Sequence, residues 1–484
     1  MHYQLSISNA AEHFIQLKWT ITNLHQPTIC LQLPAWRPGR YELANYAKNI
    51  RCLQITNENG VIVPFKKTTK DCWEVNCAGC HALVIQYEYY ANQYDAGASY
   101  ADATQLYINP VNCFMYAHGR MDEAYAVELL VPDDYSVACQ LPLKNKTLYA
   151  TNFDELADSP FIASATLQHH EFVVATTRMH FWFQGKHDLD MNLLEEDTIA
   201  YTKAQINVFG ELPCKDYHFL YIMHPYPFRH GVEHANSTVI AMGKAETEIR
   251  DEFYHSLLAI SSHELFHLWN IKRIRPTEML PYDFTKENYS TLGYVYEGVT
   301  TYYGDQILLR CGTWSWEQYC SSFNSDLKRH LTNPGRFNYS VAASSFDTWL
   351  DGYVPGIAGR KVSIYMEGML AALIADLMII NHSESKYSLD DVMKALYKHY
   401  KEGKGYDEAL YKQLLEQFAG ISFDAYFNEV IHGVGNIELW LTQYLDKMGC
   451  KLAEAKGETV LVINPNPSEK QKKIFNYWLR NTME

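Results

Sequence analysis

The sequence predicts a multidomain α+β protein with a β-rich N-terminal third, a mixed central segment and a helical remainder. Alternation of apolar and polar residues recurs through the first 165 residues. A helical period takes over from about residue 243. At 484 residues the chain also exceeds what one hydrophobic core ordinarily supports, so roughly two to four domains are expected.

The alternating runs are 3–7, 15–21, 30–33 and 83–90, punctuated by turn residues such as Asn57-Glu58-Asn59-Gly60. No long 3.6-residue period interrupts them, so residues 1–165 read as a β-sandwich-like domain. Strand-like runs at 171–176 and 217–223 then precede a long helical stretch over about 243–270. Residues 166–310 are therefore expected to form an α+β core, followed by a helical subdomain over 311–432 with one helix over 362–380. Residues 433–484 read as a small α/β appendage. Its strand spans 458–463, and Ser468 with Gln471 forms a capping box for a helix ending near Asn481.

Hydrophobic residues at 47% and charged residues at 20% are those of a soluble globular protein. A net charge of -15 repels nucleic acid and anionic membranes, so neither is expected as a partner. The N-terminus lacks a basic segment followed by an apolar one, so no signal peptide is read there. The most apolar stretch, 369–380, is interrupted by Asp376 and is too short for a bilayer; it reads as a buried helix. Eleven scattered cysteines, an odd number, point to reduced thiols and a cytoplasmic location. Cys77-Ala78-Gly79-Cys80, with Cys72 nearby, lacks the second pair or histidine partners of a metal knuckle. The 36 tyrosines are assigned mainly to cores, Tyr302 and Tyr303 among them.

The chemistry lies in His263-Glu264-Leu265-Phe266-His267. On a helix, residues four apart share a face, so both imidazoles can bind one ion. Glu264 projects about 100° round, within reach of a water at the metal without ligating it. Two imidazoles plus a carboxylate suit one zinc ion with a position open to water. Chance supplies such a motif in about one chain in twenty of this length and composition. Its helical setting adds weight, because Leu257, Leu258, Leu265 and Leu268 can face a core. For the third ligand, Asn270 and Arg273 stand where a metzincin needs Gly and His, excluding that class. Glu278, Glu287 and Glu297 remain. Glu287 has thermolysin-like spacing but lies in a polar, loop-like stretch; Glu297 opens a helix-like run and is favoured, since a ligand needs a rigid support.

The stretch from His263 through Asn270, Arg273 and Arg275 to Pro276, followed by Glu297-Gly298-Val299-Thr300-Thr301-Tyr302-Tyr303, closely resembles the glycyl aminopeptidase family, metallopeptidase family sixty-one. That family is a gluzincin group related to aminopeptidase N and leukotriene hydrolase. The resemblance implies a thermolysin-like catalytic fold and Glu297 as third ligand. Pro34-Ala35-Trp36-Arg37-Pro38-Gly39-Arg40-Tyr41 is similar to a signature of its N-terminal β domain, with Pro38-Gly39 read as a structural turn. Gly231-Val232-Glu233-His234 resembles the segment whose Glu binds a substrate's α-amine, although one residue rather than two separates Gly231 from Glu233. Val362-Ser363-Ile364-Tyr365-Met366-Glu367-Gly368 resembles the segment with the catalytic Tyr, with Glu367 in place of the usual Lys. Family members commonly carry a C-terminal PDZ domain; the last 50 or so residues are too few for a full one, and a short form is expected.

The implied activity is a zinc aminopeptidase releasing an N-terminal residue, with Gly or Ala preferred, from peptides with a free amine. An endopeptidase of the same fold and a non-catalytic peptide-binding relative are the alternatives.

Overall fold

Residues 1–244, 250–354 and 356–480 are described by the computed structural model, which forms two compact units. The first comprises 1–188, 214–249 and 283–287, the second 189–213, 250–282 and 288–484. This division differs from the four expected segments chiefly because strands beyond residue 166 share a core with the N-terminal sheets.

In the first unit, the strand Phe14–Thr22 shows why alternation reads as β structure. Ile15, Leu17, Trp19 and Ile21 are fully buried, while the residues between them face outward. The strand pairs antiparallel with His2–Asn9 and Ala82–Tyr90 in a seven-stranded sheet. Tyr3 stacks on Trp19 and meets Phe114 edge-on; its buried hydroxyl donates to the Met115 carbonyl at 2.7 Å. Two four-stranded sheets complete the β-rich region.

A five-stranded sheet follows, in the order Gln168–Val174, Thr177–Gln184, Asp216–Met223, Ser237–Gly243, Phe228–Glu233. Its third and fourth strands are buried almost throughout and pair in parallel, as continuous apolar runs do when both faces are covered. Leu220, Ile222, Val232, Val239 and Ala241 pack against Ala96, Tyr107, Ala138 and Ile162. Gly243, expected to open the long helix, is instead the last residue of a strand. A Cβ there would fall 1.8 Å from the Tyr226 carbonyl oxygen, so backbone crowding dictates the glycine. The helix is Arg250–Phe266; residues 245–249 of the expected stretch lie outside the described residues.

The second unit is helical. Arg250–Phe266 packs between Met191–Phe209 and Thr300–Arg310, with Leu257, Leu258, Leu265 and Leu268 buried as expected. Met366–His382 is buried on nearly every side, so it is a core helix. Asp376 is accommodated there by hydrogen bonds from the Tyr302 hydroxyl and the Leu389 amide. Tyr302 and Tyr303 are core residues.

The C-terminal hairpin of Cys450–Ala455 and Glu458–Ile463 leads to the helix Glu469–Leu479, opened by the expected Ser468/Gln471 capping box. Trp478 anchors this helix: its indole donates to the Tyr302 hydroxyl, and its carbonyl accepts from Gln306 at 2.9 Å. The expected end at Asn481 lies outside the described residues. Among these residues no helix is long and apolar enough to cross a membrane. All eleven cysteines are free thiols, and none joins a three-residue metal-binding group among the described residues.

Candidate active site

His263 lies one turn from the end of its helix, and His267 begins the turn that follows. The His267 amide still bonds the His263 carbonyl at 3.3 Å, which keeps the two rings on one face. Beyond that turn, Tyr294–Val299 forms one π-helical turn running directly into Thr300–Arg310, and Glu297 sits within it. Such wide turns inside helices recur at functional sites because they redirect a side chain without breaking the helix.

The two Nε2 atoms lie 3.0 Å apart, and the Glu297 carboxylate is 3.4 Å from His267 and 3.8 Å from His263. The three ligand atoms fall within 4.8 Å of one another. Glu278 is exposed in a short 3-10 turn, and Glu287 belongs to the first unit.

The donor chemistry fits a zinc ion. His267 Nδ1 lies 2.7 Å from the Asn270 carbonyl, so it carries the proton and Nε2 presents its lone pair to the cluster. The Asn270 side chain, fully buried, donates to the Val295 carbonyl and the Thr300 hydroxyl, each at 3.0 Å. One residue thus orients the second histidine through its carbonyl and grips the Glu297 turn through its amide. Sequence reasoning used Asn270 only to exclude a metzincin. Its signal was available: a polar residue three positions beyond the second His, amid apolar neighbours, needs buried partners.

Glu264 is buried beside His263 on the same helix. Tyr365 caps the helix Met366–His382, with its ring centroid 6.5 Å from that of His263. Two glycines set this spacing. A Cβ on Gly298 would lie 2.4 Å from the Gly368 Cα, and one on Gly368 would lie 2.7 Å from the Gly298 Cα. The residue after Glu297 and the third residue after Tyr365 therefore meet backbone to backbone. Gly304 similarly admits the His263 Cβ, which would approach an added Cβ to 3.3 Å.

Glu367, where the family usually has Lys, is buried and lies 3.0 Å from His330 Nδ1. Glu438 approaches the other ring nitrogen at 3.4 Å and also pairs with Arg336 at 3.0 Å. Burial alone would lower the His330 pKa, but these two carboxylates outweigh it and raise it to about 9. The altered charge is thus absorbed by a histidine.

In the first unit, Gly231 and Glu233 lie on the strand Phe228–Glu233, opposite Ile240 and Thr238. Glu233 is buried, and a Cβ on Gly39 would lie 2.8 Å from both of its carboxylate oxygens. Gly39 has φ +75°, a conformation glycine adopts freely, so the Pro38-Gly39 turn is built to pass over that carboxylate. Trp36 and Ala35 hold the segment by bonds to the Asp283 and Phe284 carbonyls, each at 2.7 Å. Nearby His230 is held down to about 4 by burial first and then by Arg37.

A histidine pair and a glutamate around one point, with a second glutamate beside them on a thermolysin-like helical scaffold, define a metallopeptidase. Residues 2–165 match the peptidase M61 N-terminal domain and residues 256–371 match M61 glycyl aminopeptidase. The chain belongs to the M61 glycyl aminopeptidase family. It is similar to the structure of an aminopeptidase N family protein from Idiomarina loihiensis, with 26% identity and a TM-score of 0.88 over 97% of this chain and 82% of that one. An M1 zinc metallopeptidase from Deinococcus radiodurans shares the fold at 14% identity and a TM-score of 0.55, over 90% of this chain and 94% of that one. Legionella pneumophila aminopeptidase A, in complex with aspartic acid, does so at 12% identity and a TM-score of 0.53, over 90% of this chain and 49% of that one. No curated protein matches the sequence.

Proposed function

We propose that this protein is a zinc aminopeptidase of the cytoplasm that removes one N-terminal residue, Gly or Ala by preference, from peptides. The observation that carries the reading is the convergence of His263, His267 and Glu297 with Glu264 beside them. These three side chains would hold one zinc ion, which when bound supplies a Lewis acid for a peptide carbonyl. Glu264 takes a proton from the attacking water and delivers it to the leaving amine. Tyr365 donates its phenolic hydrogen to the carbonyl oxygen as negative charge develops there. Glu233 holds the α-ammonium of the substrate by a charge-assisted hydrogen bond, and Gly231 leaves room for its backbone. The Glu233 assignment is supported by the family resemblance and by burial of its carboxylate beneath the Gly39 turn.

A panel of aminoacyl-anilides and matched N-acetylated peptides, with and without zinc chelation, tests this. Chelator-sensitive release from Gly- and Ala-anilides, with no cleavage of acetylated peptides, is expected. Equal cleavage of blocked and free peptides makes the protein an endopeptidase. Zinc binding without turnover across both sets makes it a non-catalytic peptide-binding relative.

A further inference from the structure

A second group of imidazoles and carboxylates lies on the five-stranded sheet of the first unit. His169 and Glu171 stand two residues apart on the edge strand Gln168–Val174, so their side chains leave the same face. Across the antiparallel pair, Glu171 faces His180 and His169 faces Trp182. On the next strand, in parallel register, His218 lies beside His180 and Asp216 beside Arg178. Farther along this face, Leu220 and Ile222 enter the core, so the polar groups gather at one end of it.

Their hydrogen bonds assign the protons. His180 Nε2 lies 3.1 Å from Asp216 Oδ1 and donates to it, which leaves Nδ1 with its lone pair. That Nδ1 is 3.0 Å from His169 Nε2 and 3.5 Å from Glu171 Oε2. The ligand atoms of His169, Glu171 and His180 all lie within 4.8 Å of one another. Asp216 is itself held by Arg178 at 2.6 Å. A histidine backed by an anchored carboxylate is the usual outer arrangement around a ligating imidazole, because it fixes the tautomer and raises ring basicity. His169, though exposed, is oriented by stacking on Trp182 with centroids 3.8 Å apart. His218 is excluded as a ligand: its ring stacks on His180 at 4.3 Å, and its Nδ1 accepts from the Trp182 indole at 3.1 Å. Glu171 and Asp216 bring two negative charges against the one positive charge of Arg178.

We propose that His169, Glu171 and His180 form a second metal site, for a borderline divalent cation such as Zn²⁺, that staples the edge strand Gln168–Val174 to its neighbour. Two imidazoles and one carboxylate favour zinc over the hard, oxygen-seeking Ca²⁺ and Mg²⁺. An exposed sheet edge gains register and protection from such a tie. The competing arrangement is a metal-free relay in which His169 donates to His180 and His180 to Asp216.

Zinc titration of the chelator-stripped full chain, followed by competition with a chromophoric chelator and by elemental analysis, decides between them. The wild type is expected to bind one more equivalent than His169→Ala or Glu171→Gln. Both substitutions are at exposed positions, and both variants should keep the wild-type circular dichroism and any peptidase activity. Asp216→Asn should weaken the same equivalent about ten- to hundredfold. Binding lost in His169→Ala but retained in His263→Ala supports the staple even if the catalytic reading fails. Equal stoichiometry in wild type and His169→Ala, with all zinc removed by His263→Ala, overturns it in favour of the relay.

Discussion

Replacing Asn270 by alanine should weaken zinc binding without touching any proposed ligand. The side chain is fully buried and donates two bonds, to the Val295 carbonyl and to the Thr300 hydroxyl on either side of Glu297. Each such bond contributes about 1 kcal/mol net, and a carbonyl left buried without its donor costs about 1–3 kcal/mol more. The apo-protein should therefore lose about 3–5 kcal/mol. The bond from His267 Nδ1 to the backbone carbonyl survives, so the histidine keeps its tautomer while the Glu297 turn is released. Outer partners of metal ligands are typically worth ten- to hundredfold in affinity, about 1.4–2.7 kcal/mol, which is less than the stability lost. Urea denaturation of the stripped protein measures the first quantity, and zinc competition against a chromophoric chelator the second. If Asn270→Ala holds zinc as tightly as wild type, Asn270 does not couple the two ligands.

Four further perturbations separate the roles. Glu264→Gln should retain zinc and lose turnover by about 10²–10⁴-fold; full hydrolysis in this variant rules out the assigned base. Tyr365→Phe should lower kcat by about 10²–10³-fold with KM little changed, whereas a rise confined to KM would make Tyr365 a binding residue. Gly298→Ala forces a Cβ to 2.4 Å from the Gly368 Cα and should cost at least about 1–3 kcal/mol by thermal unfolding; an unchanged Tm would mean that the helices part freely. The folded-state pKa of His330 is about 9, above its unfolded value of 6.5, so its stabilisation is complete below pH 6.5 and lost as pH rises through 9. The stability gap between wild type and His330→Gln should shrink by about 3 kcal/mol from pH 6 to 10, and a pH-independent gap would show that the histidine is not charged by Glu367 and Glu438.

Much of the architecture was legible because periodicity reports burial directly. Ile15, Leu17, Trp19 and Ile21 alternate in the sequence and in the sheet, and the apolar run containing Asp376 is a core helix. The boundary at Gly243 was misread because no Pro, Asn or second Gly follows it in the sequence to separate the strand from the helical run. Only the close approach of the Tyr226 carbonyl shows why a glycine ends the strand there.

His263, Glu264 and His267 were readable because helix geometry alone places residues four apart on one face. Glu297 became a candidate through its apolar, helix-like setting and through family resemblance. Other relationships are long-range and leave no local period: the Gly298–Gly368 contact, Asn270 bridging to Val295 and Thr300, the Gly39 turn over Glu233, and Glu367 meeting His330. The sequence by itself determined a pair of histidines four apart with an adjacent acid on a helix, within a β-then-α chain. Only tertiary structure decided those longer-range contacts, because the partners lie from about 25 to about 190 residues apart and meet through packing that no short-range pattern encodes.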